Sequence, residues 1–178
     1  PEQFELLNGV SEAIKKINQS GYLSVVVTNQ PVIARGEVTY EGLQEIHNKM
    51  ETLLGKNGAY LDSIYFCPHH PDSGFKGEVK ELKMNCDCRK PKPGLILQAA
   101  KDLNIDLEQS WMIGDGKNDI IAGKNAGCKT ALIGNENYGQ NITADSLLTS
   151  VDEILDYEKY KELDSRIYEH LESLIQRY

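Results

Sequence analysis

The sequence predicts an α/β fold, a doubly wound parallel sheet of Rossmann-like type with one inserted loop rich in Cys and His. Two patterns point to it. Short apolar, β-branched runs alternate with amphipathic stretches of about ten residues or more, as in βαβ units. The polar residues with the chemistry of a site, Thr28, Asn29, Asp115 and Asp119, follow directly after those runs, at the strand ends where such sheets bind ligands.

Taken in order, Val10, Ala13, Ile14 and Ile17 share one face of a helix, and Gly21 stands just past its end. Residues 23–28, LSVVVT, form an apolar run without polar alternation, which predicts a central strand buried on both faces. Thr39 is placed to cap a helix over 39–54 that Gly55 ends, and residues 61–66 supply the next strand. The stretch 67–93 mixes Pro, Gly, Asp and Asn in turn-forming combinations and reads as an inserted loop. Pro93 opens a helix to residue 103. Trp111–Gly114 is a short strand, 119–126 a helix stopped by Gly127, and 130–133 a further strand. Residues 156–178 carry Tyr160, Leu163, Ile167, Leu171, Leu174 and Tyr178 at spacings of three or four, an amphipathic helix. Such a helix docks on its own domain, pairs with a second copy or leads into a fusion partner domain. The organisation expected is therefore one domain over 1–155 followed by this helix at 156–178.

Bulk properties narrow the classes. A chain of 178 residues with 40% hydrophobic and 26% charged content can bury a core and is neither disordered nor membrane-embedded. Its longest apolar run falls well short of the roughly 20 residues that span a bilayer. PEQFELL has neither a basic nor an apolar leader segment, so a cytoplasmic setting is expected. The net charge of −8 repels a polyanion, and the Lys and Arg residues are too scattered to offset it; nucleic acid is not an expected partner. One phosphate group can still be held by a few local cations and backbone N–H groups.

Three of the four cysteines fall in the loop: Cys67-Pro-His69 is followed by Cys86-Asp-Cys88. In an extended segment, residues two apart project to the same side, so each pair can reach one ion. Three thiolates and one imidazole complete a tetrahedral zinc site with no position open for water, a structural centre; His70 competes with His69 for the fourth place. Cys128, after Gly127, reads as a small buried residue. In WMIGDGKND, a glycine at the strand end leaves room for a ligand, and Asp115 and Asp119 offer carboxylates to a hard cation or cap the following helix. Arg89, Lys90 and Lys92 leave the cysteine loop just before a helix, a place to grip phosphate or simply a solvated basic turn.

In their order along the chain, VVVTNQ, IARGEVTYEGLQ, CPHH, CDCRKPKPG and GDGKNDIIAGKNAG resemble the haloacid dehalogenase phosphatases. Within them the match is to the D-glycero-D-manno-heptose 1,7-bisphosphate phosphatase and histidinol-phosphate phosphatase group. The resemblance implies a magnesium-dependent phosphatase acting on a small phosphorylated substrate, most simply a heptose bisphosphate, through an aspartyl-phosphate. It implies that Thr28 binds the transferring phosphoryl group with Asn29 and Gln30 lining the site, that Lys90 is the catalytic cation, and that Arg89 contacts substrate phosphate. Asp115 would ligate Mg2+, Asp119 would support it from the next helical turn, and Cys67, His69, Cys86 and Cys88 would hold Zn2+.

Two departures qualify the match. The family's first strand, ending Asp-x-Asp-Gly-Thr, has no counterpart in residues 1–178, so the expected nucleophile and its acid/base partner lie upstream of Pro1. Asp62 precedes its strand and would sit at the wrong end of the sheet. Gly116 and Pro31-Val32 also replace residues common in the heptose enzymes, the latter in a form that resembles phosphatase domains fused to a nucleotidyltransferase. Alternatives are a histidinol-phosphate phosphatase, or a phosphate-binding module without catalysis.

Overall fold

The computed structural model describes the backbone of residues 1–175 and the side-chain surroundings of residues 1–166. Ten helices and strands follow one another as α1 (Val10–Gln19), β1 (Val25–Asn29), α2 (Tyr40–Lys56), β2 (Ser63–Cys67), α3 (Gly94–Leu103), β3 (Trp111–Gly114), α4 (Lys117–Ala126), β4 (Lys129–Ile133), β5 (Ile142–Ala144) and α5 (Leu147–Ile175), with a short 3-10 turn at Lys80–Leu82 in the loop. Each strand pair is parallel. Among the described residues no helix is long and apolar enough to cross a membrane.

The elements form for the reasons their residues suggest. Thr39 Oγ1 accepts the Gly42 N–H at 3.1 Å and caps α2. Gly127, at φ +90°, ends α4 in the left-handed conformation that a side chain disfavours. The register pairs Thr28 with Phe66 and Gly114 with Leu132, so the carboxyl ends of neighbouring strands lie level and the loops after them share one edge. The core around α4 is tight: Ile120, Ala122, Ala131 and Leu132 are fully buried, and Gly123 lets α4 settle onto β3 and β4.

The structure departs from the expected pattern in three places. The run 23–28 does not give a central strand buried on both faces. β1 is half-buried along its length and is hydrogen-bonded on one side only, because the strands form two separate parallel sheets, β1-β2 and β3-β4-β5, with no ladder between β1 and β3. β5, only three residues long, escaped the pattern reading. The last helix begins earlier than residue 156, at Leu147, and its first turns bury Ser150, Val151 and Ile154, with Asp152 salt-bridged to Lys16 of α1 at 2.7 Å. Further along, Trp111 Nε1 donates to Glu158 at 2.8 Å, while Tyr160 and Leu163 of the expected apolar stripe are exposed. Ile167, Leu171, Leu174 and Tyr178 lie outside the residues whose side chains are described.

Two glycines separate packing from propensity. A Cβ on Gly123 would lie 2.5 Å from Met112 Cβ and 2.8 Å from Thr130 Cγ2, whereas one on Gly55 of α2 would meet nothing within 4 Å. Gly123→Ala is expected to destabilise the fold by about 1–3 kcal/mol through overpacking. Gly55→Ala is expected to stabilise it by about 0.4–1 kcal/mol through the unfolded chain. Urea denaturation midpoints of the two variants, moving in opposite directions, check both.

Candidate active site

Residues from four segments meet beyond the carboxyl ends of β1 and β3. Asn29, the last residue of β1, accepts the Lys90 backbone N–H at Oδ1 (3.0 Å) and donates from Nδ2 to the Lys90 carbonyl (3.1 Å). This reciprocal pair binds the end of β1 to the loop that carries Arg89 and Lys90. Gln30 Nε2 donates to Thr28 Oγ1 at 3.3 Å, and the Gln30 N–H donates to the Cys67 carbonyl at 2.8 Å, which aligns β1 with the end of β2. Thr28, Asn29 and Gln30 therefore stand together, as their sequence adjacency predicts.

Lys90 reaches across both sheets. Its Nζ donates to the Val27 carbonyl at 2.8 Å and forms an ion pair with Asp119 Oδ1 at 2.6 Å; both side chains are about seven-eighths buried, at 12% and 13% exposure. Asp119 Oδ2 accepts the Gly116 N–H at 3.1 Å, so the carboxylate closes the first turn of α4 while it neutralises Lys90. Gly114 makes this possible, because a Cβ there would lie 2.2 Å from Asp119 Cβ. The sequence reading gave Asp119 the cap and the support of Asp115; its ion pair with Lys90, across a long sequence separation, had no local signal. Asp115 itself is exposed at the end of β3 and makes no hydrogen bond or ion pair among the described residues. It is free to bind a cation.

The predicted metal ligands converge. Cys67, which ends β2 and is fully buried, has its Sγ 3.4 Å from Cys86 Sγ, 3.2 Å from Cys88 Sγ and 3.6 Å from His69 Nδ1; His69 Nδ1 lies 3.3 Å from Cys88 Sγ. Such sulfur separations are too long for disulfides, and they suit donors around one ion, whose tetrahedral bonds of about 2.3 Å place sulfurs about 3.8 Å apart. All four donor atoms lie within 4.8 Å of one another. Burial lifts the Cys67 and Cys88 thiols above their ordinary range. Burial also acts to lift Cys86, yet that thiol ends below its ordinary value because it takes hydrogen bonds from Cys88 and Cys67. Three crowded sulfurs cannot all ionise without a cation among them, and a divalent ion fits that need.

His70 is excluded as the fourth donor. It is buried away from the cluster, with Nδ1 accepting the Asp72 N–H at 3.2 Å and Nε2 at 3.3 Å from the Arg35 guanidinium. Arg35, which pattern reading passed over, stacks on Phe75 at 5.0 Å and holds the far limb of the loop. Arg89 Nη1 donates to the His69 carbonyl at 3.3 Å, which ties the guanidinium to the metal cluster. Asp62 lies at the amino end of β2, accepting the Ser24 N–H at 2.7 Å, opposite to the site. Cys128 is half-buried rather than buried, packed beside Met112 and Ile96, and burial pushes its thiol up to about 11.

Comparison with known proteins points to one family. A family profile described as HAD-hydrolase-like matches residues 87–156. The chain is 43% identical over 145 residues to a D-glycero-beta-D-manno-heptose-1,7-bisphosphate 7-phosphatase of Haemophilus ducreyi, covering 81% of this chain and 76% of the relative. It is 43% identical over 144 residues to the enzyme of the same name from Pasteurella multocida, covering 81% and 74%. The fold superposes with a TM-score of 0.74 on the crystal structure of D,D-heptose 1,7-bisphosphate phosphatase from B. bronchiseptica complexed with magnesium and phosphate, at 30% identity over 88% of this chain and 87% of that one.

Asn29 holds Lys90 by two backbone bonds, and its removal should be felt beyond its own size. Asn29→Ala is expected to cost about 1–3 kcal/mol, because the Lys90 N–H and carbonyl lose their partners together. Asn29→Asp, which keeps the acceptor but sets a carboxylate against the Lys90 carbonyl, should recover no more than part of it. Chemical denaturation of the two variants measures the difference.

Proposed function

The chain belongs to the haloacid-dehalogenase-like phosphatases, among the heptose 1,7-bisphosphate phosphatases, and on that premise we propose that it is a magnesium-dependent phosphatase removing one phosphate, the 7-phosphate, from D-glycero-D-manno-heptose 1,7-bisphosphate. The observation that supports this reading is that Lys90 bonds both the Val27 carbonyl, next to Thr28 in β1, and Asp119, while Asp115 directly follows Gly114 at the end of β3.

Each residue has a share in phosphoryl transfer. The Thr28 hydroxyl and the remaining Lys90 N–H donate to the equatorial oxygens of the transferring group, where negative charge gathers. Arg89, fixed through His69, holds the sugar bisphosphate by its fork of donors. Asp115 is the ligand for magnesium, which when bound supplies positive charge against the developing negative charge. The nucleophile is a carboxylate from an Asp-x-Asp strand outside residues 1–178. Its oxygen attacks phosphorus as the ester P–O bond breaks, and the second Asp gives its proton to the leaving sugar oxygen. That Asp then takes a proton from the water that attacks the aspartyl-phosphate and releases inorganic phosphate.

The cluster of Cys67, His69, Cys86 and Cys88 is proposed as a zinc site that shapes the substrate loop without joining the reaction. A cytoplasmic setting, in which the thiols stay reduced, suits it.

Two measurements test these assignments. In a phosphate-release assay on the polypeptide that includes the Asp-x-Asp strand, magnesium-dependent turnover of the heptose bisphosphate should exceed that of histidinol phosphate. Asp115→Asn should lower it by about 100-fold or more. Equal rates on both substrates would sink the substrate assignment, and full activity of the variant would remove Asp115 from the mechanism. Separately, metal analysis should find one zinc per chain in the parent and in Cys128→Ala, and none in Cys86→Ala; zinc retained by the last variant would refute the ligand set.

A further inference from the structure

Gly94, the first residue of α3, is pressed against the loop that carries the cations. Its N–H donates to the Asp87 carbonyl at 3.0 Å, and a Cβ built on it would lie 2.2 Å from that oxygen, 2.6 Å from the Asp87 carbonyl carbon and 3.0 Å from the Cys88 nitrogen. These are backbone atoms, which cannot turn aside as the end of a long side chain can. Only a residue without a side chain lets the two segments come so close. Pro93, just before it, makes no side-chain cap for α3, so the Asp87 carbonyl takes one of the N–H groups that the first helical turn leaves free.

The contact ties a loop to the core. α3 packs on β1 and β2 and buries Leu95, Ile96 and Ala99, so its start is a fixed point. Asp87 stands between Cys86 and Cys88, and its bond to Gly94 closes residues 87–94 into a turn that carries Arg89 and Lys90. Within the turn the Lys92 N–H donates to the Arg89 carbonyl at 3.0 Å; from outside, Asn29 holds both backbone groups of Lys90, and Asn125 Nδ2 of α4 donates to the Pro91 carbonyl at 3.4 Å. Lys92 and Asp87 also pair at 2.9 Å, but their side chains are 51% and 94% exposed, and an ion pair in water adds little. The close approach of Gly94 is therefore what joins the root of the turn to α3.

We propose that Gly94 is a positioning residue for the phosphatase site: it sets the Asp87 peptide against the start of α3 and so fixes where Arg89 and Lys90 present their charges. A methyl group at residue 94 would force the two backbones apart by about 0.8 Å to reach even a 3.0 Å contact. A misplacement of about 1 Å in groups that must align with a substrate can cost about 100-fold in rate. The roles of Arg89 and Lys90 rest on the phosphatase reading above. The hold of Gly94 on the turn does not, since it follows from the backbone contact alone.

The test uses the zinc-loaded polypeptide that includes the Asp-x-Asp strand, and it reads the hydrogen exchange of the Lys90 amide, which donates to Asn29, together with the kinetics of phosphate release. Gly94→Ala should speed exchange at Lys90 at least about tenfold. It should also raise the KM for the heptose bisphosphate about tenfold. The comparison is Val151→Ala, a cavity in the buried face of α5, which packs on α1, β4 and β5; it should lower stability and leave both readings unchanged. A mere loss of folded molecules lowers kcat and spares KM. Unchanged Lys90 exchange or unchanged KM in Gly94→Ala, or the same changes in Val151→Ala, would overturn the proposal. In the parent protein the Gly94 amide should exchange at least about 100-fold more slowly than that of an unstructured glycine; an unprotected Gly94 amide overturns the proposal even where the alanine variant does not fold. A parent protein without turnover of the heptose bisphosphate counts against the proposed substrate, and exchange at Lys90 and Gly94 then decides the hold on the turn by itself.

Discussion

The ammonium of Lys90 joins what the hydrogen-bonding of the strands leaves apart. One N–H is spent on the Val27 carbonyl at the edge of β1 and another on Asp119 at the start of α4, so a single side chain spans the boundary between the two sheets. With both partners largely shielded from water, the pair is strong only while its geometry holds, and removing either member would leave the other charge buried and unmatched. The Asn29 clamp on the Lys90 backbone, and the absence of a Cβ on Gly114, serve that geometry. A lysine has three donors, so one remains for a ligand at the mouth of the site.

Chain continuity links this point to the Cys/His cluster. Cys88, Arg89 and Lys90 are successive residues, so a metal that gathers Cys67, His69, Cys86 and Cys88 sets the position of the two cations that follow. The cluster is anchored in the sheet at its other end, because Cys67 closes β2 and its carbonyl receives the Gln30 N–H. The loop thus acts on the site through covalent bonds and two backbone contacts.

What could be read from the sequence was what is local. Thr39 as a cap, the helical faces, the strands before Thr28 and Asp115, and the pairing of Cys67-Pro-His69 with Cys86-Asp-Cys88 all depend on residues a few positions apart. What escaped was set by tertiary contact. The apolar run of β1 suggested a strand covered on both sides, yet its second neighbour is a cavity. His69 and His70 are chemically alike and adjacent, and only the engagement of His70 by Arg35 and Asp72 separates them. The Lys90–Asp119 pair joins two motifs whose separation along the chain hides their contact, and β5 is too short to show a period.

The charges at the mouth explain how a chain of net charge −8 can present a phosphate site. Asp119 already cancels Lys90, so their pair offers direction and a donor more than net positive charge. Asp115 stands exposed without a cation of its own. A phosphate dianion arriving there meets the negative charge of Asp115, which has no ion-pair partner among the described residues and opposes binding. A divalent cation on Asp115 reverses it, turning the one repulsive group into the anchor of a positive centre. On the proposed reaction this makes the metal a condition for substrate binding as well as for chemistry, since Asp115 keeps an uncompensated negative charge until it arrives.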